Sequence, residues 1–340
     1  MIRGSSSIAA RFGVSALVIG LTVVSYGTSA PELAVNVKAA IDGSSDITIG
    51  NVIGSNIFNV LVILGISSLI TPLLVQSQLI RFDVPLMIIV TIITYIFCLD
   101  GQISRLEGVF LLSGSIAYTV YSIKKSRQET ESVRLEYENE YSYLLKNTLS
   151  KQIIILIAGI ASMVIGAELF VSGAVSLARL YGLSELLIGL TIVAAGTSLP
   201  ELATSAVAAY KGERDIAIGN VVGSNIFNLL FILGVTSIIT PIQISTPAIE
   251  FDYPFMLIVT FICFPIFYTG FRIRRWEGLL FVSGYVAYIY FLYLQSRKSD
   301  DLDLYVHLMA NILLPSVAVF LIGLMVLEWL KKKREQTHMY

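Results

Sequence analysis

Residues 27–72 read GTSAPELAVNVKAAIDGSSDITIGNVIGSNIFNVLVILGISSLITP, and residues 196–241 read GTSLPELATSAVAAYKGERDIAIGNVVGSNIFNLLFILGVTSIITP. The second stretch repeats the first without a gap, so that Glu32 corresponds to Glu201 and Asn51 to Asn220. Each copy places a carboxylate within an otherwise apolar segment. This pair of carboxylates is the chemical feature that a function has to explain.

The composition of the chain is that of an integral membrane protein. Of its 340 residues, 55% are hydrophobic and only 14% are charged, whereas a soluble domain carries about 25% charged residues. The net charge of −1 gives no basic excess, so we expect the lipid bilayer as a partner and no nucleic acid. Cys98 and Cys263 lie in apolar runs at positions that the repeat does not relate, which indicates packing rather than a disulfide or a metal site.

Ten hydrophobic segments have about the length that spans a bilayer. A polar stretch at 124–151 separates the two halves and predicts a solvated linker. We therefore expect a first membrane repeat at 1–123, a second at 152–298, and an additional helix with a basic tail at 299–340. The predicted spans are 15–40, 47–70, 84–99, 106–123, 152–178, 184–210, 216–239, 254–270, 276–295 and 305–330.

The two repeats differ at their beginnings. The second is preceded by an apolar segment at 151–170, whereas Met1 falls opposite Phe170 when the repeats are aligned. We expect a translation start further upstream rather than the loss of a helix, because an incomplete repeat would open a polar cavity to lipid. The alternative is a truncated membrane paralogue that does not transport.

The distribution of Lys and Arg predicts the orientation in the membrane. If the 124–151 loop is cytoplasmic, most of the 23 Lys and Arg residues lie on the cytoplasmic side, and so does the C-terminal KKKRE, as the positive-inside rule requires. An odd number of crossings then separates the two copies of the motif, which enter the membrane from opposite sides. Such inverted repeats are typical of secondary transporters, whose binding sites lie between the repeats near the midplane.

The GTS-x-PE segment predicts a broken helix that supplies oxygen ligands. Pro31 lacks an N–H group and disfavours the preceding helical turn, and in lipid the freed carbonyls need a partner, which a cation can be. The segment also carries the hydroxyls of Thr28 and Ser29 and the carboxylate of Glu32. The second copy repeats these groups with Thr197, Ser198, Pro200 and Glu201.

The GN-x-x-GSNIFN segment predicts a helix with one polar face and a glycine seam. Ser55 and Asn59 are four residues apart and therefore share a helix face, and Gly50 and Gly54 form a small-residue seam that allows close packing. We expect this seam to bring the polar face against the broken helix that precedes it. The corresponding residues of the second copy are Gly219, Gly223, Ser224 and Asn228.

All the groups that the two motifs supply are oxygen donors. This set suits Ca²⁺ and Na⁺ and disfavours zinc or copper. Two facing carboxylates are costly in a membrane unless a cation or a proton neutralises them. Because Ca²⁺ and Na⁺ would compete for the same oxygens, mutually exclusive occupancy provides a physical basis for exchange.

The paired motifs GTSAPE with GNVIGSNIFN and GTSLPE with GNVVGSNIFN resemble the alpha-repeats of the sodium/calcium exchanger (cation/calcium antiporter) superfamily, in particular its prokaryotic members. The resemblance implies an all-helical polytopic fold with two inverted repeats and ions bound at the centre. This chain has about ten spans, lacks the first family helix and has an extra C-terminal one. The metal ligands implied are Glu32, Glu201, Thr28 and Thr197 for calcium, Ser29, Ser55, Ser198 and Ser224 for sodium, and Asn59 and Asn228 at the central polar positions.

The expected function is secondary active antiport of Ca²⁺ against Na⁺ across the plasma membrane, by alternating access. The resemblance implies a transporter and not an enzyme, with no cofactor, and with the two ions as transported substrates. Asn228 stands where potassium-dependent relatives carry Asp, so potassium co-transport is not expected. Coupling to H⁺, or transport of another divalent cation, stays open as an alternative.

Overall fold

The computed structural model of the chain describes residues 14–126 and 149–337. The segments 1–13 and most of the predicted linker at 124–151 lie outside the described residues. Within them the fold is almost entirely helical. The helices are α1 (Ala16–Thr28), α2 (Ala30–Ile41), α3 (Ser45–Ile70), α4 (Leu79–Cys98), α5 (Arg105–Lys125), α6 (Leu149–Leu180), α7 (Glu185–Thr197), α8 (Leu199–Tyr210), α9 (Arg214–Ile239), α10 (Ala248–Tyr268), α11 (Arg275–Arg297) and α12 (Leu302–Leu330).

These helices confirm the predicted all-helical polytopic fold. In the described part of the chain, seven helices are long and apolar enough to cross a membrane, or up to nine if each of two bent pairs counts as one span. Most residues of the additional helix α12 are not buried against the rest of the protein. It packs on the second half through a hydrogen bond from the Tyr305 hydroxyl to the Ala287 carbonyl (2.8 Å) and an edge contact between the rings of Phe320 and Trp276.

The predicted break in the motif helix is present in both halves. Helices α1 and α2 meet at 44°, and so do α7 and α8. The breaks fall at Ser29 and Ser198, whose ψ angles of 10° and 5° depart from the helical value. Each new helix then has proline as its second residue, where the missing N–H costs no helical hydrogen bond.

The helices α4 and α10 begin earlier than predicted. Both start with a π-helical turn, at Leu79 and Ala248, instead of near residues 84 and 254. The polar residues of this turn have partners inside the bundle, since the buried carboxylates of Asp83 and Asp252 accept hydrogen bonds from the hydroxyls of Tyr118 and Tyr288 (3.1 Å each). These two carboxylates therefore form interhelical contacts.

Four short strands, which the sequence did not predict, show that the halves are inverted. β1 (Leu73–Leu74) and β2 (Gln102–Ile103) flank α4 and so lie at its opposite ends. β1 pairs with β4 (Arg272–Ile273), and β2 pairs with β3 (Ile242–Gln243), both antiparallel. Because β1 and β3 are equivalent positions of the repeat, equivalent loops lie at opposite ends of the bundle.

The glycine seam packs against the other half of the protein, which corrects the expectation that it faces the broken helix of its own copy. A Cβ atom on Gly54 would lie 2.7 Å from the Cβ of Ala194, and one on Gly219 would lie 2.7 Å from the carbonyl oxygen of Leu17. The seam of α3 thus contacts α7, and that of α9 contacts α1. The inverted arrangement explains these contacts, because it places the motif helices of one half across those of the other.

Replacing Gly54 by alanine is therefore expected to destabilise the protein. The added methyl would overlap both Ala194 and the Leu190 carbonyl, and overpacking of this kind costs about 1–3 kcal/mol. Thermal unfolding in detergent measures the loss. Gly173→Ala is the matched control, since no neighbouring group lies within 4 Å of the position that its added methyl would take; equal effects of the two variants would contradict the crossed packing.

Candidate functional site

The two glutamates of the repeat are buried at the centre of the bundle. Glu32 is 1% exposed and Glu201 is 0% exposed. Each lies in the first turn of the helix that follows a break, α2 or α8. The helix N-terminus carries a partial positive charge that favours a carboxylate. A buried carboxylate still requires hydrogen bonds and a compensating charge.

Each glutamate accepts a hydrogen bond from the break of the opposite half. Ser29 Oγ lies 2.8 Å from Glu201 Oε1, and Ser198 Oγ lies 3.0 Å from Glu32 Oε1. Ser29 Oγ also lies 3.3 Å from Ser224 Oγ. The two motif copies therefore do not form separate sites but complete one another.

The threonine of each motif contacts an asparagine of the opposite half. Thr28 Oγ1 lies 3.1 Å from Asn220 Oδ1, and Thr197 Oγ1 lies 3.1 Å from Asn51 Oδ1. Ser55 Oγ donates to the same Asn51 oxygen at 3.2 Å. Both asparagines thus link a straight helix of one half to the broken helix of the other.

Two asparagines that the sequence analysis did not select complete the arrangement. Asn59 Nδ2 donates to Asn225 Oδ1, and Asn228 Nδ2 donates to Asn56 Oδ1, both at 3.0 Å. Asn59 and Asn228 also begin π-helical turns in α3 and α9, a deviation that is common at functional sites. The signal for Asn56 and Asn225 was in the sequence, because the GSNIFN segment repeats both of its asparagines.

Four buried oxygen atoms of the site have no hydrogen-bond partner. Each is repeat-related to another member of the set, and an unsatisfied buried acceptor costs about 1–3 kcal/mol, and more when charged. Two carboxylate and two amide oxygens of this kind are the donors that Ca²⁺ and Na⁺ prefer. The four atoms are Glu32 Oε2, Glu201 Oε2, Asn59 Oδ1 and Asn228 Oδ1.

The structure places all ten residues predicted as ion ligands in the buried interior, each at most 1% exposed. Glu32 pairs with Ser198, Glu201 with Ser29, and Ser224 lies beside Ser29. Each of the other five residues forms a side-chain hydrogen bond with an asparagine. Those others are Thr28, Thr197, Ser55, Asn59 and Asn228.

Comparison with known proteins agrees with this geometry. Residues 1–124 and 151–294 match the family described as sodium/calcium exchanger protein. The chain belongs to the sodium/calcium exchanger family. It is 40% identical over 298 residues to the putative antiporter CaxA of Alkalimonas amylolytica, covering 86% of this chain and 92% of the relative. It is 33% identical over 325 residues to the sodium/calcium exchanger MaX1 of Methanosarcina acetivorans, covering 86% and 93%.

The fold is also that of a solved member of the exchanger family. The sodium-calcium exchanger NCX_Mj, in a structure from a crystal soaked with 100 mM Na⁺ and 10 mM Sr²⁺, superimposes with a TM-score of 0.70 at 33% identity. The likeness covers 85% of this chain and 90% of that one. It therefore extends over both repeats and is not confined to the motifs.

The asparagine pairs are expected to stabilise the centre of the helical bundle. Asn225→Ala leaves the buried Asn59 amide without its acceptor, and Asn56→Ala does the same to Asn228; each is expected to lower the free energy of unfolding by about 1–3 kcal/mol. Thermal unfolding of purified protein measures both. Asn311→Ala, which removes an exposed amide from α12, is the control, and an equal loss there would argue against the pairs.

Proposed function

We propose that this exchanger-family protein is a secondary active antiporter that moves Ca²⁺ against Na⁺ across the plasma membrane. The observation that carries the proposal is the pair of buried glutamates, each hydrogen-bonded to the opposite half and each with one unpartnered oxygen. One Ca²⁺ ion balances two carboxylates, and Na⁺ ions balance the same charges with the same oxygens. Occupancy by one ion therefore excludes the other, as exchange requires.

The proposed roles of the site residues follow from their donors. Glu32 and Glu201 coordinate Ca²⁺, with help from the oxygens of Thr28 and Thr197. The serines 29, 55, 198 and 224 take part in sodium sites, and Asn59 and Asn228 supply amide oxygens at the centre. The names of the relatives, a sodium/calcium exchanger and a putative antiporter, support ions as the substrates.

Alternating access is the mechanism that the inverted architecture supports. The two broken helices are related by the repeat, so rocking one half against the other opens the site to one side and then to the other. The empty site, with two uncompensated carboxylates, resists this movement because burying charge is costly. The loaded site does not, so movement is coupled to ion binding. In the proposed orientation the 124–151 segment and the C-terminus are cytoplasmic, in accord with the positive-inside rule.

Neutralising either glutamate is expected to abolish exchange. In proteoliposomes loaded with Na⁺, the wild-type protein takes up ⁴⁵Ca²⁺, whereas Glu32→Gln and Glu201→Gln each reduce the initial rate at least about 100-fold, since a charged ligand contributes several kcal/mol to ion binding. The control Glu185→Gln removes a half-exposed carboxylate paired with Arg179 and retains transport. Full transport by either site variant, at normal reconstitution, would refute the proposed site.

The coupling ion is tested separately. An outward Na⁺ gradient at equal pH on both sides is expected to drive ⁴⁵Ca²⁺ uptake, and a pH gradient without Na⁺ is not. Uptake that follows the pH gradient and ignores Na⁺ would replace sodium by protons as the counter-ion. Uptake under neither gradient would argue for a protein that does not transport.

A further inference from the structure

The glutamate–serine and threonine–asparagine hydrogen bonds of the site occur in repeat-related pairs, but one hydrogen bond of Asn220 has no counterpart in the first half. In the second half, Asn220 Nδ2 donates to Ser205 Oγ at 3.0 Å. In the first half the equivalent residues are Asn51 and Asn36. There Asn51 Nδ2 has no partner, and neither does Asn36 Nδ2 or Asn36 Oδ1. The first repeat therefore contains a buried polar side chain that the proposed site does not use.

Asn36 lies next to the site on the side of α2 that faces α3. It follows Glu32 by four residues and thus occupies the same helix face one turn further along, and it is 0% exposed. The main-chain carbonyl oxygen of Asn36 lies 3.4 Å from the hydroxyl of Thr48. Thr48, Asn51 and Ser55 are spaced three and four residues apart, so they form one stripe along α3.

The polar stripe is longer in the first half than in the second. Thr48 corresponds to Ala217, which cannot extend it, and Asn36 corresponds to Ser205, whose hydroxyl is already engaged by Asn220. The additional turn of polar groups leads from Glu32 towards the end of α2 that carries Lys38. The additional polar groups therefore lie between the site and one face of the membrane only.

A buried asparagine without any partner is unfavourable. Flipping the Asn51 amide would place its nitrogen opposite the hydroxyls of Thr197 and Ser55, which both donate to its oxygen. Buried amides are nearly always satisfied by protein, water or an ion. The neighbouring carboxylate is Glu32, a proposed ion ligand. A hydrated cation is therefore a partner whose chemistry suits the Asn36 amide.

We propose that Asn36 Oδ1 is a further oxygen ligand, which binds the transported cation in a partly hydrated state as it passes between Glu32 and the Lys38 side of the membrane. The amide nitrogen donates to a water molecule of the cation's hydration shell. Because the amide is neutral, it holds the ion more weakly than the glutamates and does not trap it. This inference rests on the proposed function.

The first test uses the asymmetry between the two faces. Asn36→Ser gives the first repeat the residue of the second, and is expected to raise the half-saturating Ca²⁺ concentration about fivefold on the Lys38 face only. Uptake into intact cells and into everted membrane vesicles measures the two faces separately. Asn311→Ser makes the same chemical change on the exposed surface of α12 and leaves both values unchanged. No effect of Asn36→Ser, or an equal effect on both faces, overturns the proposal.

The second test measures binding and does not depend on transport. Asn36→Asp adds a charged oxygen at the proposed position, so purified protein is expected to bind ⁴⁵Ca²⁺ about tenfold more tightly, whereas Asn311→Asp does not change the affinity. Unchanged or weaker binding by folded Asn36→Asp overturns the ligand role. If the wild-type protein binds Ca²⁺ without exchanging it, the proposed function fails while this result still decides the inference. If it binds no Ca²⁺, both fail.

Discussion

The structure depends on the burial of two carboxylates within a largely apolar bundle. Glu32 and Glu201 are excluded from solvent, and each obtains its hydrogen bond from a serine of the other half. Neither repeat satisfies its own glutamate through these serine contacts. The requirement to satisfy a buried charge thus makes the two repeats a single unit.

Local backbone features allow each glutamate to reach a serine of the other half. The breaks at Ser29 and Ser198 turn the chain by 44° and direct a serine and a glutamate inward from consecutive turns. Glycines at the crossing of α3 with α7, and of α9 with α1, let the backbones approach closely enough for side chains of different halves to meet. The hydrogen bonds therefore depend on the glycine seam as much as on the polar residues.

The sequence predicted the repeat, its inversion and the broken helices, because each of these follows from a pattern that one copy repeats in the other. Proline explained the break, and paired motifs pointed to the residues of the centre. The predicted packing partner of the glycine seam was wrong. A seam of small residues indicates close packing but does not identify the helix that it packs against. The beginnings of α4 and α10 were also misjudged, because Asp83 and Asp252 have buried tyrosine partners distant in sequence.

Two kinds of buried polar residue were harder to find from the sequence. Asn56 and Asn225 were present in a recognised motif, but only the crossing of α3 and α9 shows that they hold the amides of Asn228 and Asn59. Asn36 breaks the repeat, and a residue that differs between copies gives no symmetry signal. Its distinguishing property is the lack of any partner for its side chain, which only the structure reveals.

The most direct test of the shared site is a double-mutant cycle on the ion-free protein. It compares Ser29→Ala combined with Glu201→Gln against Ser29→Ala combined with Glu32→Gln, with the free energy of unfolding as the measured quantity. The crossed arrangement predicts a coupling of about 1 kcal/mol or more for Ser29 with Glu201, and little for Ser29 with Glu32. Coupling within one copy, and none between copies, would contradict it.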